Sequence, residues 1–298
     1  MNRFAITLVA ALLFAPASAA SARADAAPAQ VGTFVVPYCA FGIAVGPDGA
    51  IVLSDWYGGL VHVYSPTGTP LSTIGPVRVP TYLAFGPGGD LFVCEQGAQQ
   101  VSEFTPQGAL VRTIGGPGSG PGALTQPMGI GVDSHGTVYV ADPVAARVTL
   151  YDAGGAFVTA WTIAGALPYG ITVDRNDRVD VSTTPGGALG VFEFSPDGTP
   201  VGRRDVGFSC ALAVDQRLDL LTLTMPGVVA YDPAGQQLWS MTYGPFPFGT
   251  CPGFPLNGIA LSADGLLYVL SESQVFVYDD RATPTAHHSW GSLKARYR

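Results

Sequence analysis

The sequence predicts an all-β fold, a six-bladed β-propeller of four-stranded antiparallel blades, and three observations support it. One motif recurs six times, with steps of 40, 47, 41, 41 and 47 residues between its copies. Each copy divides into short stretches with strand-like alternation, separated by glycine-containing turns. A period in the forties built of short strands is typical of propellers with one four-stranded blade per repeat. The first core residues of the six copies are Ile43, Leu83, Ile130, Ile171, Leu212 and Ile259.

The first 24 residues have the pattern of a secretory signal peptide. Asn2 and Arg3 precede an apolar run at residues 4–14, which is too short to span a bilayer, and Ala22-Arg23-Ala24 is a small-x-small cleavage site. A retained membrane anchor fits these flanks less well. Residues 25–298 are then predicted to be a single propeller domain, exported to the periplasm or the cell exterior.

Charge and hydropathy limit the classes of partner. The formal net charge is −8 at pH 7, and Lys294 is the single lysine of the sequence. An acidic surface poor in lysine repels phosphate backbones, which argues against nucleic acid as a partner. Beyond the N-terminal run no apolar stretch is long enough for a membrane span.

Repeat one illustrates how a copy becomes a blade. Its apolar first strand is followed by the turn Pro47-Asp48-Gly49, and two further alternating strands lead to an outer strand at residues 70–74. A second turn glycine lies four residues after the aromatic residue that ends the third strand. It recurs as Gly68, Gly108, Gly155, Gly198 and Gly235.

The ring must also be closed, because an unpaired edge strand invites aggregation. Residues 31–36, which precede repeat one, and residues 285–290, which follow repeat six, could each supply the last outer strand. The N-terminal segment is favoured because its β-propensity is much higher.

The string from Pro127 to Gly155 resembles the NHL repeat, with the pattern P-x-G-I-A-V-D-x-x-G-x-V-Y-V-A-D followed by a basic residue, an aromatic strand, Asp and Gly. The resemblance extends over nearly the whole chain after residue 24. It implies a six-bladed propeller, commonly a binding platform for proteins or RNA, although the RNA branch uses a basic face that this chain lacks. A minority of related propellers, the amidating lyases and lactonase-type hydrolases, are metal-dependent enzymes.

The residues just before the inner strands are predicted to line the mouth of the central channel. They form a mostly aromatic and apolar rim that could bind an apolar ligand or a peptide side chain. Packing that plugs the channel is the alternative. The candidate binding residues are Tyr38, Phe41, Trp56, Tyr57, Tyr82, Met128, Tyr169 and Asn257, with Thr81 and Cys210 on the same rim.

Asp55, Glu95 and Asp142 occupy one repeat position on three consecutive blades. Clustered carboxylates could hold Ca²⁺ through their oxygen atoms. In the resembled family this acid typically caps backbone amides of the adjoining loop, and that structural role is favoured here.

The histidines do not predict a zinc centre. His62, His135, His287 and His288 fall at non-equivalent places in the repeats, whereas zinc catalysis needs at least three converging ligands. Nucleophile-elbow and phosphate-loop motifs are absent from the sequence. No cofactor is therefore predicted, with Ca or Zn kept as the alternative.

Four cysteines in an exported chain permit disulfides. Cys94 lies in mid-strand and is predicted to be a buried thiol. Cys39, Cys210 and Cys251 each precede an inner strand, so we expect one bridge from Cys251 to Cys39 or to Cys210.

These features predict an exported, non-catalytic binding or scaffold propeller that takes a protein, a glycan or a small apolar ligand at the channel mouth. The alternative is a metal-dependent lactonase- or lyase-type propeller enzyme, with ligands from Asp55, Glu95, Asp142 and Asn257. A third interpretation is a structural envelope protein without a specialised face.

Overall fold

The computed structural model describes residues 26–36, 38–185, 187–224, 227–242, 258–271 and 273–279. These residues form six four-stranded antiparallel sheets, one for each repeat, which confirms the predicted six-bladed propeller. The predicted signal peptide, residues 1–24, lies outside the described residues. In the part of the chain that is described, no helix is long and apolar enough to cross a membrane.

The chain enters the ring through β1 (Ala29–Val35), the outer strand of blade six. From the channel outward, blade one contains β2 (Ala40–Val45), β3 (Ile51–Asp55), β4 (Leu60–Tyr64) and β5 (Pro70–Ile74). Blade two contains β6 (Pro80–Phe85), β7 (Leu91–Glu95), β8 (Gln100–Phe104) and β9 (Leu110–Gly115). Blade three contains β10 (Ile130–Val132), β11 (Val138–Asp142), β12 (Arg147–Tyr151) and β13 (Phe157–Trp161).

Blade four contains β14 (Pro168–Val173), β15 (Val179–Thr183), β16 (Val191–Phe194) and β17 (Pro200–Arg204). Blade five contains β18 (Ala211–Val214), β19 (Leu220–Leu223), β20 (Gly227–Tyr231) and β21 (Gln237–Thr242). Blade six contains β22 (Gly258–Leu261), β23 (Leu266–Ser271) and β24 (Gln274–Asp279), with β1 outside them.

The N-terminal strand closes the ring, as predicted. β1 pairs antiparallel with β24, and Phe34 lies opposite Val275 in this register. The alternative closing segment, residues 285–290, lies outside the described residues. The inner strands meet in the order β2, β6, β10, β14, β18 and β22, and β22 returns to β2. Blades two and five are therefore opposite each other across the channel.

A recurring contact seals the interfaces between blades near the outer strands. An apolar side chain at the end of one outer strand touches the second-turn glycine of the next blade. These glycines have φ near +80°, which favours glycine over other residues, and a Cβ there would meet the sealing side chain. The sealing pairs are Phe34 with Gly68, Ile74 with Gly108, Ile114 with Gly155, and Trp161 with Gly198.

Candidate functional site

The six inner strands surround a central cavity of about 220 Å³. Consecutive residues of each inner strand line it, as Ile43, Ala44 and Val45 do on β2. The lining includes Ile43, Leu83, Ile130, Ile171, Leu212 and Ile259, which are the six repeat anchors, and Tyr82.

A row of aromatic rings lies at the channel mouth. Phe41 packs on Trp56 with ring centroids 4.9 Å apart and on Tyr82 at 5.3 Å. Tyr82 contacts Tyr169 edge-on at 6.2 Å, and Tyr169 contacts Phe208 at 5.9 Å. Phe41, Tyr82 and Tyr169 are all buried, so this row belongs to the core as well as to the face.

Tyr82 spans the ring at this mouth. Its hydroxyl donates a 2.7 Å hydrogen bond to the carbonyl of Cys210, which belongs to the opposite side of the propeller. This bond bars the channel on the axis. Burial, followed by the neighbouring Tyr169, raises the pKa of Tyr82 well above its ordinary value. Burial likewise raises the pKa of Tyr169, so both phenols keep their protons at neutral pH.

The structure brings part of the predicted binding set together. Phe41, Tyr82, Met128 and Tyr169 join one buried cluster, and Trp56 packs against it. Thr81 lies beside them and donates to the carbonyl of Met128 at 3.1 Å.

Two other members of the set lie apart from this cluster. Tyr38 stacks on His62 with ring centroids 4.0 Å apart, and its hydroxyl donates to that of Tyr64 at 3.0 Å. Tyr57 is 67% exposed, and Asn257 lies outside the described residues.

The three repeat acids are each engaged by their own loops. Asp55 accepts the amide of Gly58 at 2.8 Å and lies 3.4 Å from His62 Nε2. Glu95 accepts the amide of Arg78 at 2.6 Å and the hydroxyl of Ser102.

Asp142 accepts amides from two directions. The amide of Thr125 donates at 2.6 Å and that of Ala145 at 2.9 Å. With their lone pairs directed at loop donors, the three acids do not fit a metal site. Among the described residues, no group of three or more His, Cys, Asp or Glu converges as a metal site would require.

The described histidines are also separate. His62 pairs with Asp55, whereas His135 pairs with Asp177 at 3.4 Å near a turn at the other end of the strands. His287 and His288 lie outside the described residues.

The cysteines settle one of the two disulfide alternatives. Cys94 and Cys210 are both buried thiols, so Cys94 is as predicted and a bridge from Cys251 to Cys210 is wrong. Burial raises the pKa of the Cys210 thiol to about 12. The bridge from Cys251 to Cys39 stays a prediction, because Cys251 lies outside the described residues.

A charged cluster between blades four and five was missed by the sequence reasoning. Asp180, Glu193 and Arg204 are all buried there, with Arg204 Nη2 3.0 Å from Glu193 Oε1. Burial raises the pKa of Asp180 to about 7, and the nearby Arg204 lowers it in part. The signal was available, since Asp180 occupies a strand position that is apolar or aromatic in the other repeats.

The fold is similar to solved structures of two named kinds of enzyme. A gluconolactonase from Xanthomonas campestris is 18% identical, with a TM-score of 0.68 over 86% of this chain and 96% of that chain. A virginiamycin B lyase from Staphylococcus aureus is 12% identical, with a TM-score of 0.58 over 85% and 89% of the two chains. A streptogramin B lyase is 12% identical, with a TM-score of 0.63 over 83% and 96%. No family model and no curated protein matches the sequence.

These comparisons correct the predicted function. The sequence favoured a non-catalytic binding or scaffold propeller, but the similar rings carry the names of a lactonase and of lyases. At these identities the likeness shows the shared six-bladed fold.

Proposed function

We propose that this chain is an enzyme of the lactonase or lyase type that opens a cyclic ester at the channel-mouth face. The supporting observation is the likeness, along almost the whole ring, to a gluconolactonase and to two lyases. The repeat pattern supports an NHL-type propeller, and the N-terminal apolar run supports export, as parts of the same proposal.

The channel mouth offers an aromatic surface with phenol groups for this chemistry. The rings of Phe41 and Trp56 would contact the apolar face of a cyclic substrate. The Tyr82 hydroxyl already donates a hydrogen bond to the Cys210 carbonyl. We therefore assign the hydrogen bond to the substrate to the Tyr169 hydroxyl. In hydrolysis, water adds to the ester carbonyl carbon, and the ring C–O bond then breaks with a proton from that water passing to the leaving alkoxide. A protonated phenol at this place stabilises the negative charge that develops on the carbonyl oxygen as water adds.

No step of this proposal uses a metal ion. The resemblance to metal-dependent propellers implies one, but Asp55, Glu95 and Asp142 are directed at loop amides and other loop donors. The acids therefore serve the loops that frame the face, and the chemistry is assigned to the aromatic row.

The test is ring opening of D-glucono-1,5-lactone and of virginiamycin B, the compounds in the names of the similar proteins, together with a panel of simple lactones. Tyr169→Phe should lower kcat/KM by about 10²-fold, the usual effect of removing one donor to a developing oxyanion. The exposed Tyr57→Phe is the matched control and should act like the wild type. A wild type that opens no compound in the set contradicts the enzyme proposal, and a fully active Tyr169→Phe variant contradicts the role of Tyr169.

A further inference from the structure

The interface between blades four and five lacks the apolar seal found at the four other interfaces whose outer turn is described. By register, Arg204 takes the place held by Phe34, Ile74, Ile114 and Trp161 in other blades. Its counterpart, Gly235, has no atom within 4 Å of a Cβ built on it. The missing seal leaves open space where the other described interfaces are packed.

Asp180 is a second charged residue at a place that is apolar or aromatic in the other blades, and it lies on β15 of the same blade as Arg204. Asp180 is flanked on β15 by Val179 and Val181, which pack toward blade three. Alternate residues of a strand point to opposite faces, so Asp180 faces blade five together with Arg204. The equivalent positions in the other blades hold Val52, Phe92, Tyr139, Leu221 and Tyr268.

The charges of this cluster are only partly satisfied. Glu193 receives Arg204 Nη2 at 3.0 Å and Arg178 Nη1 at 3.1 Å. Arg204 Nη1 and Asp180 Oδ1 lie 3.9 Å apart, which is too long for a hydrogen bond, and neither atom has another partner among the described residues. Arg204 is 8% exposed and Asp180 is 4% exposed. Buried polar atoms left in this way are costly, so the cluster is only partly satisfied by the described residues.

A pocket of about 340 Å³ opens over the cluster. Its charged lining is Arg203, Arg204, Glu193 and Asp205, which sum to a net charge of zero. Tyr231 adds a half-buried ring with a hydroxyl. The pocket therefore offers both donors and acceptors around a neutral space of the size typical of ligand sites.

We propose that this pocket binds a carbohydrate ring. A sugar hydroxyl both donates and accepts, so one hydroxyl can receive a hydrogen bond from Arg204 while another donates to Glu193. The ring of Tyr231 would pack on the apolar face of the sugar. The pocket lies among outer strands, away from the channel mouth, so the inference is independent of the proposed enzyme activity.

The test is calorimetric titration of the full chain with D-glucose, D-galactose, D-mannose, N-acetylglucosamine and cellobiose. At least one should bind with a Kd of about 1 mM or tighter. Asp180→Leu combined with Arg204→Ile restores the apolar residues of the other blades and should weaken binding at least about tenfold. Glu193 keeps its ion pair with Arg178, 3.1 Å away, when Arg204 is replaced, so this variant should fold.

The matched control is Arg112→Leu, which removes the 2.5 Å ion pair with Glu103 from the outer strands of blade two. Binding should be unchanged in it. If the double variant fails to fold, Ala234→Phe narrows the pocket from its turn without altering the charged cluster, and it should also weaken binding. Binding should survive in Tyr169→Phe, whatever that variant does to ring opening. The proposal is overturned if the wild type binds none of the sugars, or if the double variant or Ala234→Phe folds and binds like the wild type.

Discussion

Asp180 links the packing of one carboxyl group to the pH dependence of folding. Its folded pKa is raised from 3.8 to about 7, chiefly by burial, so the folded chain holds the proton more tightly than the unfolded chain. The stability from this effect is fully present below about pH 4 and is lost as pH rises through about 7. Asp180→Asn removes the titration. We expect the unfolding free energy of the wild type, measured with urea, to fall relative to this variant between these pH values.

Asp177 provides the control for this prediction. Hydrogen bonds from Ser134 are the largest reason that its pKa is lowered below 3.8, so its titration lies below the tested window. The unfolding free energy of Asp177→Asn should therefore change with pH in the same way as that of the wild type from about pH 4 to pH 7. If the unfolding free energy of Asp180→Asn also follows the wild type, Asp180 does not cause the pH dependence.

The sequence predicted the positions of some site residues but not the contacts that they make. The repeat placed Phe41, Tyr82 and Tyr169 near the channel, but the bond from Tyr82 to Cys210 joins opposite blades and depends on the ring diameter. Asp180 and Arg204 were visible as departures from the repeat. Their pairing could not be predicted, because their strands are separated by another strand of the same sheet.

Among the elements, β1 has the most distinctive role, because it joins the start of the chain to the last blade. Thr33 donates its hydroxyl to the Val275 carbonyl, and Phe34 seals the interface with blade one against Gly68. Deleting residues 1–35 removes both and leaves the edge of β24 unpaired. We expect a lower melting temperature and concentration-dependent aggregation, measured by calorimetry and light scattering.

The control is deletion of residues 1–25, which leaves every described strand intact. It should melt like the full-length chain. Equal melting of the two truncated chains would show that β1 does not hold the ring closed. The sequence predicted this strand because residues 31–36 have a high β-propensity, whereas the four-stranded blades followed from turn glycines at fixed intervals.

At the scale of the whole molecule, two buried thiols report whether the ring unfolds as one unit. Cys94 lies in blade two, and Cys210 lies at the start of blade five, on the opposite side. Burial raises the pKa of both thiols, so neither supplies thiolate to an alkylating reagent while the ring is folded.

A ring closed by β1 has no terminal blade that can separate alone, unlike an open array of repeats. Alkylation of Cys94 and Cys210 should therefore begin at the same urea concentration. Mass spectrometry of the two cysteine-containing peptides measures the alkylation of each. Fully unfolded, unreduced protein should label at these two positions alone if Cys39 and Cys251 are bridged. Labelling of Cys210 well before Cys94 would contradict cooperative unfolding, because it would mean that the blades around the charged pocket open while the opposite side stays folded.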